Sequence, residues 1–204
     1  MARLRTHPSR GPKATLALLN ANQDADAFRR HPTIPTYVAG CRQRAGFLGY
    51  ALDTFWLQDP SIDGKQLQRI LKARGIRGVI VVGLMKSNRL PERFAAVWNN
   101  FPCVVTGVRT RQPAFSFACT DHHIVGLRAF QKAIELGYQR PGIVLDQVID
   151  QLVEGRFTAG YRTGQQTLPI HRRLPPFLAV DKARTDRRIF ERWFARHQPD
   201  VIFT

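Results

Sequence analysis

The run Gly78-Val-Ile-Val-Val82 carries no polar side chain, and it follows a stretch with the apolar spacing of an amphipathic helix. A strand with one wet face alternates apolar and polar residues. One that does not alternate is covered on both faces, as in a parallel strand flanked by crossover helices. The run therefore points to a parallel α/β fold.

The same alternation extends along the chain. Ala14-Thr-Leu-Ala-Leu-Leu-Asn20 reads as a buried strand. A helix over 35–48 ends at Gly49, and a strand follows over 50–55. Asp63 with Gln66 three residues on makes a capping-box-like start, and Leu67, Ile70 and Leu71 form the apolar face that Gly75 stops. Pro91 opens a helix carrying Phe94, Val97 and Trp98, and strands follow at 103–107 and 115–119. Asp121 is placed as the N-cap of a helix with Ile124, Leu127, Phe130 and Ile134 on one face, ending near Gly137. Beyond it come a strand at 142–145, a helix over 150–166, a strand at 177–180, a helix with Ile189, Phe190, Trp193 and Phe194, and a strand from Val201 to Thr204.

Composition narrows the function classes. No run of eighteen apolar residues is present, and no apolar stretch backs the basic start, so neither a membrane span nor a secretory leader is expected. Cys41, Cys103 and Cys119 form no CxxC pair and no even set, and they read as reduced core thiols of a cytoplasmic protein. The formal net charge of +16 favours phosphate-rich partners in general, but its Lys and Arg are scattered and form no block.

Motifs for common chemistries are missing. The sequence has no P-loop, no GxGxxG after a strand, no GxSxG elbow and no HExxH, so no catalytic residue and no cofactor is assigned. Asp121-His122-His123 suggests a metal site at first sight. Consecutive helical residues diverge, however, so the reading is an N-cap with solvated histidines and no metal ligands. Trp56 and Phe28 are able to stack on a sugar face, although aromatics near strand ends are more often core.

One ordered set goes further: Cys119-Thr-Asp121, then Gly137-Tyr-Gln-Arg-Pro141, then Arg156-Phe-Thr-Ala-Gly160-Tyr161. In placement and spacing it resembles the lactose-repressor (LacI-like) family of transcription regulators, with departures at Tyr138 and Pro141. The resemblance covers roughly residues 14–204. It implies a two-lobed, periplasmic-binding-protein-like (type I) fold with parallel sheets and a truncated second lobe. Residues 1–13 would be a hinge remnant or tether, 14–140 the first lobe and 141–204 part of the second.

The resemblance also implies a function. Asp121 and Arg156, with Asn20 as a weaker candidate, would bind a sugar or similar small polar effector in a cleft between the lobes. A carboxylate accepts from vicinal hydroxyls and a guanidinium donates in a planar fork, so the pair suits a polyol. Gly160 and Tyr161 are expected to serve helix packing. The intact regulator would be a homodimer that reads DNA through a helix-turn-helix head absent from this chain, most simply as a repressor. Two other classes stand beside this reading: a periplasmic-type solute-binding protein, which shares the fold but is exported, and a small α/β enzyme, which would need a nucleophile and base pair that the sequence does not offer.

Overall fold

The computed structural model describes residues 14–84 and 86–204, so the tether expected over 1–13 lies outside the described residues. In chain order the first elements are β1 (Ala14–Asn20), α1 (Ala27–Arg30), α2 (Ile34–Leu48), β2 (Tyr50–Trp56), α3 (Gly64–Ala73), β3 (Ile76–Val82), α4 (Ala95–Trp98), β4 (Cys103–Thr106) and β5 (Ser116–Ala118). The strands form one parallel sheet in the order β2-β1-β3-β4-β5. The chain moves outward from β1 to β2 and then returns across β1 to β3, so the order reverses between β1 and β3.

The unalternating apolar runs find cover on both faces, as the sequence requires. Ala17, Leu19, Val79, Val81 and Val105 pack with Leu67 and Leu71 of α3 and Val97 and Trp98 of α4. Leu18 and Val82 turn the other way, onto Ala27 of α1 and Ile34 and Val38 of α2. Each fully buried aliphatic side chain contributes about 1.5–3 kcal/mol by leaving water. Caps set the helix ends: Gly49, at φ 82°, closes α2, and the Asp63 carboxylate accepts from the Gln66 amide at 2.6 Å to open α3.

The second set of elements is α5 (His122–Glu135), β6 (Pro141–Ile143), α6 (Gln147–Leu152), α7 (Arg156–Gln165), α8 (Val180–Thr185), α9 (Arg188–His197) and β7 (Val201–Phe203). Strands β6 and β7 pair in parallel, and Val144 and Phe177 form an isolated parallel bridge beside them. The strand expected at 177–180 is reduced to bridges at Phe177 and Ala179. Pro175 and Pro176 immediately before it have no N–H to give to a ladder.

The chain divides into two compact units. The first ends at Ala118 and is interrupted between Leu84 and Asn88; the second includes Cys119–Thr204. The division between these compact units falls before α5, which packs along α7. That partner also resets the buried face of α5. Gly126, Phe130 and Ala133 are buried, whereas Ile124, expected inside, is 44% exposed.

The single helix expected over 150–166 is two helices. Glu154 and Gly155 both take positive φ, at 61° and 73°. The Glu154 amide donates to the Gln151 carbonyl and the Gly155 amide to the Asp150 carbonyl, the paired bonds that end a helix in a left-handed turn. Asp150 is buried and starts the next helix, accepting from Thr158 N at 3.2 Å and Thr158 Oγ1 at 2.8 Å. The cysteines also divide: Cys41 and Cys103 are half-buried, as core thiols should be, but Cys119 is exposed, at the end of the short edge strand β5. Burial pushes the Cys103 thiol up to about 11.

Candidate functional site

Helices α5 and α7 run side by side in the same direction, and glycines make the approach possible. A Cβ on Gly126 would stand 2.5 Å from the Phe157 carbonyl oxygen, and one on Gly164 would meet the Phe130 ring at 2.5 Å. A Cβ on Gly160 would fall inside contact with the His123 carbonyl oxygen. Tyr161 anchors the same helix from below. It is fully buried, its hydroxyl lies 2.9 Å from the Leu174 carbonyl and 3.1 Å from that of Pro141, and it accepts from Gln165 Nε2 at 2.7 Å. Gly160 and Tyr161 are therefore packing residues, as the sequence suggests.

This parallel packing sets the two helix starts together, and with them Asp121 and Arg156. Asp121 is the N-cap of α5, and its Oδ1 accepts from His123 N at 3.1 Å and Ile124 N at 3.4 Å. Arg156, the first residue of α7, donates from Nη2 to the same oxygen at 2.8 Å. Asp121 Oδ2 takes no hydrogen bond from the described residues, and the other guanidinium N–H groups of Arg156 are likewise uncommitted among them. Both side chains are about half exposed, at 53% for Asp121 and 49% for Arg156. A ligand reaching this point meets an acceptor and a fan of donors already held in register.

Electrostatics follow from the pairing. The hydrogen bond from Arg156 holds the Asp121 carboxyl below its usual range, and Asp121 raises Arg156 in return. Burial, and then the Arg156 charge, lower His122, whose ring sits edge-on to Phe157 at 4.9 Å. Among the described residues no group of three or more His, Cys, Asp or Glu side chains converges to hold a metal ion.

Asn20 belongs to the first unit, and its polar atoms serve its own loop. Both protons of Nδ2 go to carbonyls, Asp24 O at 3.0 Å and Ala25 O at 3.1 Å, and Oδ1 accepts from Asn22 N at 3.0 Å. The residue is 1% exposed. Asn20, the weaker ligand-contact candidate of the sequence, thus has both amide protons committed to its own loop. The loop it braces borders a cavity of about 330 Å³ at the carboxyl ends of β1 and β2. Phe28 and Trp56, aromatics able to stack but by type more often core, both line that cavity.

No family model matches the sequence, and no curated protein matches it either. Solved structures do match. The transcriptional regulator CelR in complex with cellobiose superposes with a TM-score of 0.62 over 95% of this chain and 59% of its own, at 18% identity. A LacI-family regulatory protein from Chloroflexus aggregans gives 0.60 over 91% of this chain and 66% of its own, at 14% identity. The Cra regulator of Pseudomonas putida with fructose 1-phosphate gives 0.57 over 92% and 67%, at 15% identity. The chain thus spans roughly three fifths to two thirds of these proteins, and it is folded like the corresponding part of LacI-type transcription regulators.

Proposed function

We propose that this chain is the effector-sensing part of a LacI-type DNA-binding transcription regulator acting as a repressor. Its ligand is a sugar or similar small polar molecule, bound rather than transformed. Asp121 and Arg156 are the ligand-contacting pair, and Asn20 contributes by shaping its loop. The observation that supports this most is the Asp121–Arg156 juxtaposition, with one carboxylate oxygen and several guanidinium N–H groups left over, in a fold whose matched neighbours include regulators solved with cellobiose and fructose 1-phosphate. Vicinal hydroxyls need that combination of acceptor and donors.

The regulator would act as a homodimer, with DNA as its second partner, contacted through a helix-turn-helix head. Ligand binding would favour one of two states of the dimer by its differential affinity for them. None of the described helices is long and apolar enough to cross a membrane. Reduced thiols, including the exposed Cys119, suit the cytoplasm in which such a regulator works.

A thermal-shift screen against sugars and polyols tests the reading. A sugar at a hundredfold excess over its Kd stabilises the protein by about 2.7 kcal/mol. That gain should disappear in Asp121→Ala and in Arg156→Ala. A sugar that stabilises both variants as well as the parent protein would remove the pair from the site.

A further inference from the structure

The lysines and arginines that lie scattered in the sequence are partly gathered by the fold, most clearly on α3. Leu67 and Leu71 turn inward against the first sheet, which leaves Lys65, Arg69 and Lys72, at spacings of four and three residues, together on the outer face. All three are exposed. None takes a hydrogen bond or ion pair from the described residues, whereas Arg74, just beyond, is committed to Asp53 at 3.1 Å. None of the ten residues of α3 is acidic, and the nearest carboxylate in the chain, that of Asp63, is turned to the Gln66 amide. The outer face of α9 makes a contrast: Arg188, Arg192 and Arg196 stand there with Glu191, which pairs with Arg187.

Like charges three and four residues apart weaken a helix, and a lysine in the first turn opposes its dipole. Nothing within α3 offsets this, but an anion from outside would. The three charges span about 10 Å along the helix axis, and duplex DNA carries a phosphate about every 3.4 Å on each strand, so three successive phosphates lie within reach of the three side chains. A protein partner would need an apolar centre to bury, yet the residues flanking the stripe are Gln66, Gln68 and Ala73. Backbone phosphates need only charge. We propose that α3 is a further DNA contact, outside any head, in which Lys65, Arg69 and Lys72 hold the phosphate backbone of a duplex without regard to base sequence. The choice of DNA as the anion rests on the DNA partnership proposed above, and no use is made of the Asp121–Arg156 pair.

Fluorescence anisotropy of a labelled, mixed-sequence duplex titrated with the 204-residue chain at several salt concentrations tests this. A chain of net charge +16 attracts DNA as a whole, so two variants with equal loss of charge are compared: Lys65→Gln/Arg69→Gln/Lys72→Gln on α3 and Arg188→Gln/Arg192→Gln/Arg196→Gln on α9. Each phosphate contact contributes about 0.9 to the slope of log affinity against log salt, so the α3 variant should lower that slope by about 2.7 and the α9 variant far less. The α3 variant should also keep or raise the thermal midpoint, because it removes like-charge repulsion within the helix. Absence of saturable binding by the parent, an unchanged slope in the α3 variant, or equal loss of slope in both variants overturns the proposal. Poly-glutamate bound by the parent as tightly as the duplex, and lost in the α3 variant, also overturns it, by making the face a dock for an acidic protein. An unchanged slope at α3 would leave contact through a head untouched, and failure of sugars in the thermal screen would touch only the Asp121–Arg156 reading.

Discussion

Asp121 does two jobs with one oxygen, and substitution can separate them. Asparagine caps helices about as well as aspartate, so Asp121→Asn keeps the bonds to His123 N and Ile124 N while deleting the charge that meets Arg156. In the folded protein that carboxyl titrates below its usual value of 3.8, chiefly through the Arg156 hydrogen bond. A lowered folded value means stability that is fully present above the unfolded value and is lost as pH falls through the folded one. Asp121→Asn should therefore be modestly less stable than the parent at neutral pH, in keeping with an exposed ion pair, and should match it in acid. Urea midpoints measured in steps from neutral to acid pH check this; a gap that persists unchanged into acid would show that the charge pair contributes nothing. The capping role of Asp121 is legible in the sequence because it rests on local chemistry: an Asp ahead of an apolar-periodic stretch is an N-cap wherever the helix packs. Asp63 and Gly49 are legible for the same reason. The state of Asn20 is not, because its partners Asp24 and Ala25 are fixed by the course of a loop that no periodicity encodes.

Elements are less transparent than caps, since the face a helix buries depends on its partner. Ile124 fits the apolar stripe of α5 when the helix is read alone, but α7 approaches along Gly126, and Ile124 is left outside. Glu154-Gly155 is the local signal for the break between α6 and α7; a glycine near a helix end is a warning of a left-handed turn. The glycine at the α5–α7 crossing yields a sharper test. Gly160→Ala pushes a methyl group into the His123 carbonyl and should cost about 1–3 kcal/mol or more in unfolding free energy. It should also part the helix starts and blunt the sugar response of the thermal screen. An alanine variant as stable as the parent by denaturant titration would mean that the crossing is looser than described.

At the scale of the molecule, the parallel α/β architecture is readable from runs such as 78–82, whose lack of alternation requires helices on both faces. The partner of α5 is not, because its packing along α7 is a tertiary contact that the periodicity of α5 alone does not encode. The aromatics Phe28 and Trp56 illustrate the same limit: their types are visible, but that one cavity gathers both cannot be read from positions so far apart.

Whether a small polar ligand is held at Asp121 and Arg156 can be read from backbone amide spectroscopy. The sugar giving the largest thermal shift is titrated into isotope-labelled protein and the perturbed N–H signals are mapped. The largest changes should fall at the His123 and Ile124 amides, which donate to Asp121, and at the Arg156 side chain. Saturable binding that leaves those signals in place while others move would contradict it.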